Sequence, residues 1–240
     1  MKIGKVKLSK VTLALLAAAL LLFASGGVMA TRAVLTINSN EHVLQLSLDD
    51  LDTVLLENGN ATAQNDRVLL KDLEDKSIAP GKVYDEALAV KNNASYDQYV
   101  RLIVRKYWKN EEGQKVIDLS PELIQFVFND AVGYNTSDWN LNDAETTDER
   151  TVYYYKKVLA GGDTTSALTE GIRIDPSIVD DVVVSERKEG DQTIYTYEYT
   201  YDGYHFGLEA EAQAVQTHHA KDAIKSVWGV DASATGINIE

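Results

Sequence analysis

Cysteine is absent from this chain of 240 residues. Disulfide frameworks, thiol catalysis and cysteine-ligated zinc are therefore excluded, and the fold depends on its hydrophobic core. The familiar catalytic motifs are missing as well: there is no HExxH, no GxSxG, no phosphate-binding loop and no GxGxxG. The sequence therefore favours a structural or binding role over an enzymatic one.

Basic residues are also scarce. Lys and Arg number 23 against 37 Asp and Glu, which gives a net charge of −14. The first 30 residues contain four lysines and no acidic residue, so residues 31–240 carry about −18. Such an acidic surface does not neutralise phosphates, and we expect neither a nucleic-acid partner nor binding to an anionic membrane surface. Soluble partners, cations and further copies of the chain are compatible with this charge.

Only one long hydrophobic run is present, at residues 11–23, and it follows a lysine-rich start. Small residues then lead to Ala30. A basic start, a short apolar run and a small-residue site are typical of a secretory signal peptide. We therefore expect residues 1–30 to be removed by cleavage between Ala30 and Thr31, and residues 31–240 to form a single domain. The alternative is an uncleaved anchor, since residues 11–30 are just long enough to span a bilayer.

Most of the remaining chain reads as short strands, the first at residues 34–37, 42–48 and 53–57, separated by turn signals such as Asn58-Gly59. Residues 96–108 alternate, with Val100, Leu102, Val104 and Trp108 on one face and Arg101 and Arg105 on the other, which is typical of antiparallel sheets with one wet face. Residues 151–159 are also expected to form a strand. Residues 121–128 fit either a strand or a short helix. One helix is predicted near the C-terminus from an apolar stripe at helical spacing. The sequence therefore predicts an all-β antiparallel β-sandwich with a short C-terminal helix. The stripe comprises Ala220, Ala223, Ile224, Val227 and Trp228; Thr217 is expected to cap the helix and Gly229 to end it.

A hairpin is predicted over residues 193–217 around the turn signal Asp202-Gly203. Pairing across this turn would place three alternate tyrosines against apolar residues of the second strand, which predicts that these tyrosines belong to the core. The alternative is an exposed aromatic surface that stacks on sugar rings. The charged residues 185–191 are expected to form a loop tip. The three opposed pairs are Tyr199 with Phe206, Tyr197 with Leu208, and Tyr195 with Ala210.

Metal ligands are few. His218, His219 and Asp222 lie together at the predicted helix start and are the candidates for a metal site, although exposed helix-entry residues are the favoured interpretation. The acidic stretch 138–149 lacks the DxDxDG spacing of a calcium loop, which favours a solvated loop. We therefore expect no cofactor, with zinc or calcium as the alternative.

Several segments resemble clostridial members of the TasA/camelysin family. The resemblance covers nearly the whole chain and is most specific at residues 201–231. It implies a secreted, jelly-roll-like β-sandwich that acts as a biofilm-matrix or cell-surface protein. The segments are GGVMATRAVLTINSNEH (26–42), similar to signals processed by a SipW-type signal peptidase, LENG (56–59), YDQYVRLIVRKYW (96–108), DLSPELI (118–124) and YDGYHFGLEAEAQAVQTHHAKDAIKSVWGVD (201–231).

The resemblance also implies assembly into fibres, in which the N-terminal segment of one subunit completes a sheet of its neighbour. The matching donor segment contains the apolar residues Val34, Leu35 and Ile37 and no proline, so its sequence is well suited to a strand. If it instead pairs within its own domain, the protein is a monomer. The segment comprises Thr31, Arg32, Ala33, Val34, Leu35, Thr36 and Ile37.

Two further functions are open at this point. Resemblance to camelysin implies a metallo-endopeptidase, although no ligand set in this chain matches one. A surface adhesin or glycan-binding module is the third hypothesis. The expected partners are copies of the chain or related matrix proteins, with the signal peptidase during export, and membrane contact only through an uncleaved signal. The expected location is extracellular, at the cell surface or in the biofilm matrix.

Overall fold

The computed structural model describes residues 52–63, 67–73, 78–190 and 192–239, all within one compact unit. The expected signal peptide, its cleavage site between Ala30 and Thr31 and the donor segment 31–37 lie outside the described residues. So do the strands expected at residues 34–37 and 42–48.

Fourteen strands occur in the described residues, and every pairing between them is antiparallel. The all-β class predicted from the sequence is thereby confirmed. The strands are β1 (Thr53–Glu57), β2 (Asn60–Ala61), β3 (Val83–Asp85), β4 (Leu88–Asn92), β5 (Gln98–Lys109), β6 (Lys115–Val116), β7 (Ile124–Phe128), β8 (Ala131–Val132), β9 (Trp139–Leu141), β10 (Arg150–Tyr155), β11 (Gly171–Ile174), β12 (Val182–Glu189), β13 (Gln192–Tyr199) and β14 (His205–Gln216).

These strands form four sheets. Sheet A has the order β2-β1-β4, sheet B has β14-β5-β10-β9 with β6 added to β5, sheet C has β3-β11-β7-β8, and sheet D consists of β12 and β13 alone. The main core joins one face of sheet B to residues of sheets A and C, so the sheets pack face to face as a sandwich. Val104 from sheet B, Val90 from sheet A and Ile172 from sheet C all lie in this core.

The first tight turn follows the sequence prediction. Asn58 and Gly59 have φ angles of 50° and 78°, the left-handed conformation that a two-residue hairpin turn requires. Glu57 therefore lies opposite Asn60 as β1 passes into β2.

Strand β5 runs through the middle of sheet B and is buried on both faces. Its even-numbered residues, such as Leu102 and Val104, face the main core as predicted. The other face was expected to be wet, and this is wrong for Arg101 and Ile103, which are 5% and 4% exposed. The C-terminal helix α1 (Ala220–Trp228) covers this face and builds a second apolar cluster on it.

Helix α1 forms where the apolar stripe predicts it, and Gly229 ends it in a left-handed conformation with φ 76°. The expected cap at Thr217 is wrong. The residue before the helix is His219, with φ 52° and no side-chain capping hydrogen bond. Within the described ranges, no helix has the length and apolar composition needed to cross a membrane.

The hairpin predicted over residues 193–217 does not form. Strand β13 pairs with β12, with Tyr199 opposite Val182, whereas β14 pairs with β5, with Leu208 opposite Lys106. Residues 185–189 are therefore part of a strand rather than a loop tip, and Asp202-Gly203 turns the chain between two different sheets. The period-two pattern specifies which side chains share a face, but many partner strands satisfy the same pattern.

Short 3-10 helices complete the described structure. The ambiguous stretch 121–128 combines both alternatives, because a 3-10 turn passes directly into strand β7. The 3-10 helices are Lys71–Leu73, Pro121–Leu123, Asp143–Glu145, Pro176–Asp180 and Ala232–Ala234.

Candidate functional site

The hairpin of β12 and β13 exposes both of its faces. Its two strands pair only with each other among the described strands, and nearly all of their residues are exposed. Tyr195, Tyr197 and Tyr199 are 55%, 60% and 53% exposed. The expectation that these tyrosines belong to the core is therefore wrong, because Phe206 and Leu208 lie on a strand that pairs elsewhere.

The three tyrosines form one continuous surface with two valines. Val184 lies opposite Tyr197 and Val182 lies opposite Tyr199, and directly opposed residues of an antiparallel pair share a face. We call the three tyrosines and two valines the tyrosine face; Glu186, opposite Tyr195, borders it. An isolated two-stranded hairpin is marginally stable in water, and exposed apolar patches on soluble proteins mark interaction sites. The tyrosine face is therefore a candidate contact surface.

The outer edge of β13 is also unpaired. Thr200 N–H donates to the carbonyl oxygen of Asp181 at 3.0 Å, so even-numbered residues of this strand direct their backbone groups toward β12. In an antiparallel ladder the backbone groups alternate in direction. The N–H and C=O groups of Tyr195 and Tyr197 therefore point to the outer edge, where the described residues provide no partner strand. At Tyr199 the carbonyl oxygen already accepts the Asp202 N–H at 3.1 Å.

An apolar groove of about 600 Å³ lies at the base of this hairpin. Tyr199 contributes to the groove as well as to the tyrosine face. Inside it, the Trp108 ring lies 5.0 Å from the Tyr201 ring and 6.5 Å from the Phe206 ring. Its lining is mostly aliphatic and aromatic, which suits an apolar ligand or segment.

A second open edge belongs to β14. Residues 67–69 cover only its first half: Leu69 N–H donates to Leu208 O at 3.0 Å, and Ala210 N–H donates to Arg67 O at 2.9 Å. These bonds show that even-numbered residues of β14 face outward. The backbone groups of Ala212 and Ala214 consequently point to an edge to which no described strand is hydrogen-bonded, although β1 lies close to β14 without pairing with it. Such an edge is a template for another strand.

A buried acid lies between sheets A and C. The Glu86 side chain is 0% exposed, and no donor group of the described residues reaches either carboxyl oxygen. Burial, the negative charge of Glu57 and a hydrogen bond shared with Glu57 together raise the pKa of Glu86 to about 8. Glu57 itself accepts the Leu70 N–H at 2.6 Å. Glu86 is therefore a neutral acid at pH 7 that donates its proton toward the Glu57 carboxylate.

The acidic stretch 138–149 is more ordered than a solvated loop. Glu145 accepts hydrogen bonds from Arg101 at 3.1 Å and from the Tyr154 hydroxyl at 2.5 Å. Burial, followed by the Glu145 hydrogen bond, raises the pKa of Tyr154 to about 12. Gln213 accepts from Arg101 Nε at 2.9 Å. This network is satisfied by its own members, which points to a structural role for Glu145.

The candidate metal residues lie at the exposed entry to helix α1. The rings of His218 and His219 meet edge to face, 4.1 Å between centroids. Over the described ranges, no group of three or more His, Asp or Glu residues is arranged to hold a metal ion, so His218, His219 and Asp222 do not form one. Whether the protein binds zinc or calcium stays a prediction.

Comparison of the chain with protein-family models, with curated proteins and with solved structures finds no match. The functional argument therefore depends on the geometry of the chain itself. Sequence reasoning missed the open edge of β13, Glu86 and the open edge of β14. The first had a usable signal, because Gly190-Asp191 separates two alternating runs and is typical of a two-residue hairpin turn. The other two arise from distant parts of the chain and have no local signal.

Proposed function

We propose that the chain is an exported extracellular-matrix or cell-surface structural protein that assembles into fibres by exchange of its N-terminal strand. The observation that carries this proposal is the open edge of β14. Strand exchange requires an acceptor edge with unpaired backbone groups, and Ala212 and Ala214 offer such groups at the border of the largest sheet.

The dimensions of donor and acceptor agree. The donor segment 31–37 has seven residues and spans about 23 Å as a strand, whereas the five residues from 212 to 216 span about 17 Å. The donor is therefore long enough to pair along the whole open part of the β14 edge. It contains Arg32 and no acidic residue, which favours its approach to an acidic body.

The acceptor edge also has apolar surroundings. Ala214 and Val215 are 5% and 2% exposed, so side chains of an added strand would extend two existing apolar clusters. Val34 and Leu35 of the donor are neighbours in sequence and would project to opposite faces of the extended sheet. Each face would then gain one apolar side chain.

Deleting residues 31–37 tests the proposal. We expect the secreted wild-type protein to form filaments in negative-stain micrographs and the deleted protein to remain as discrete particles. A synthetic peptide of residues 31–37 should bind the deleted protein and should not bind the filament, whose acceptor edges are filled. Filaments formed by the deleted protein would reject strand exchange.

The peptidase alternative is tested on the same purified protein. A camelysin-like enzyme would contain stoichiometric zinc and cleave casein in a chelator-sensitive manner. Absence of both would remove this alternative, and their presence would contradict a purely structural role.

A further inference from the structure

We propose that strand β13 is a second self-association site, at which a second copy of the chain adds its own β13 in antiparallel orientation. The two hairpins would join into one four-stranded sheet with the order β12-β13-β13-β12. This contact uses neither the donor segment 31–37 nor the β14 edge, so it is independent of the fibre contact proposed above.

The two edges of the hairpin differ in a way that selects β13. Strand β12 has four charged residues in succession, which protect its edge from pairing, whereas β13 has a single charged residue, Glu198. The sequence of β13, QTIYTYEY, is rich in tyrosine and β-branched residues and contains no proline. Exposed strands of this composition pair readily with further strands. The charged residues of β12 are Glu186, Arg187, Lys188 and Glu189.

The direction of the backbone groups limits how two copies can pair. The outward groups of β13 belong to odd-numbered residues, so odd residues must lie opposite odd residues across a two-fold axis. Among the registers that meet this condition, the one that pairs the most residues within 193–199 of both copies places the two-fold axis at Thr196. Tyr195 of one copy then lies opposite Tyr197 of the other, and the two tyrosine faces become one surface.

Charge opposes a second copy less at this edge than over most of the surface. The chain carries −14 overall, so most pairs of surfaces would bring like charges together. In the register centred on Thr196, Glu198 of one copy lies opposite Ile194 of the other. No two acidic residues of β13 face each other, and the contact consists of tyrosine, threonine, isoleucine and Glu198 side chains with backbone hydrogen bonds.

The area available makes this contact a weak one. A tyrosine buries about 150–250 Å² when fully covered, and the three tyrosines are each about half exposed. With the neighbouring backbone, each copy would bury about 400 Å², which is below the roughly 600 Å² per partner of a small stable interface. We therefore expect a dissociation constant between about 10 μM and 1 mM for free copies. In a fibre, many such contacts would act together and join fibres laterally.

Cross-linking provides a direct test, because the chain has no native cysteine. Residues opposed at the axis lie about 4.5–5.5 Å apart between Cα atoms, within the range for a disulfide. We expect Thr196→Cys to form a covalent dimer under mild oxidation. Ser185→Cys is the matched control, since Ser185 lies opposite Thr196 within the hairpin but on β12; it should stay mostly monomeric. Equal cross-linking of both variants, or of neither, would overturn the proposal.

Proline substitution tests the same edge by equilibrium sedimentation up to 1 mM. Tyr197→Pro removes an N–H that points outward and leaves the pairing with β12 in place, and Val184→Pro does the same at the opposite edge. We expect Tyr197→Pro to weaken dimerisation at least about tenfold and Val184→Pro to change it less than about twofold. A wild-type protein that stays monomeric, or one whose tyrosines instead bind a matrix polysaccharide, would reject the self-contact.

The two proposals can fail separately. Ala212→Pro removes an outward N–H of β14 and should abolish filaments while retaining the Thr196→Cys cross-link in the double variant. Loss of the cross-link together with the filaments would show that β13 does not associate by itself, which would also overturn the proposal.

Discussion

Glu86→Gln should stabilise the protein, and the gain should depend on pH. The side chain is fully buried, and its pKa is raised from 4.5 to about 8, mainly because burial disfavours the charged carboxylate. A glutamine at this position has almost the shape of the protonated acid and can still donate a hydrogen bond toward Glu57. The substitution therefore removes the ionisable carboxyl group and preserves the packing around it.

The direction of the pH effect follows from proton linkage. Between pH 4.5 and about 8, Glu86 holds a proton in the folded state and loses it in the unfolded state. The free energy of unfolding of the wild-type protein therefore falls as the pH rises through this window, and the contribution of Glu86 is fully present only below pH 4.5. Glutamine does not titrate, so the advantage of the variant grows with pH across the same window.

The displacement of the pKa gives the size of the effect. At pH 7 the variant should be more stable by about 3 kcal/mol, and above pH 8 the difference should level off near 5 kcal/mol as an upper figure. A typical domain has only about 5–15 kcal/mol of stability in total, so either value is readily measured.

Urea denaturation of both proteins at pH 5, 6, 7, 8 and 9 provides the assay. All other titrating groups are shared, so the difference between the two free energies of unfolding isolates Glu86. Glu112→Gln, at an exposed position, is the matched control and should show a difference close to zero at every pH. A Glu86→Gln difference that stays constant from pH 5 to 9 would refute the reasoning.

Three further substitutions test the rest of the described structure by urea denaturation. Arg101→Ala should destabilise the protein by about 3–5 kcal/mol because it leaves buried polar partners unpaired. The control is Arg187→Ala, whose side chain is 70% exposed, and it should change stability by less than about 0.5 kcal/mol. Equal effects of the two substitutions would contradict the buried network. Ile224→Ala should cost about 2–5 kcal/mol if helix α1 is anchored as described, and a negligible loss would show that it is not. Hydrogen bonds from Lys157 and Ser166 lower the pKa of Asp138, so Asp138→Asn should be less stable at neutral pH. That difference should disappear as the pH falls through the lowered pKa, and a difference that persists in acid would contradict the contact.

The elements that sequence reasoning predicted correctly depend on neighbouring residues. The Asn58-Gly59 turn requires two left-handed residues in succession, and this pair is suited to them. Helix α1 follows from its apolar stripe and its terminal glycine. In both cases the physical cause lies within a few residues of the element, so the sequence contains the whole signal.

Partner choice between strands could not be predicted in the same way. Strand β14 alternates as expected, but its partner β5 lies about one hundred residues earlier, and an apolar face on one strand fits many others equally well. The tyrosines of β13 are predicted to lie in the core because pairing across the Asp202-Gly203 turn would place them opposite Phe206, Leu208 and Ala210. Their exposure arises from the choice of β12 as partner, which no local pattern specifies.

The candidate sites depend on the same distant pairings. Glu86 lies in the short link between β3 and β4, and no local pattern in the sequence marks it as buried. The open edge of β14 exists because residues 67–69 stop covering it at Ala210. Both features become visible only when the tertiary structure is known.

Negative-stain microscopy of the secreted wild-type protein and of Ala212→Pro, combined with N-terminal sequencing, tests the central claim of assembly most directly. We predict that both proteins begin near Thr31, that the wild type forms filaments and that Ala212→Pro yields discrete folded particles. A wild-type protein that begins near Thr31 and stays monomeric at high concentration and after seeding would contradict the claim, as would filaments formed equally well by Ala212→Pro.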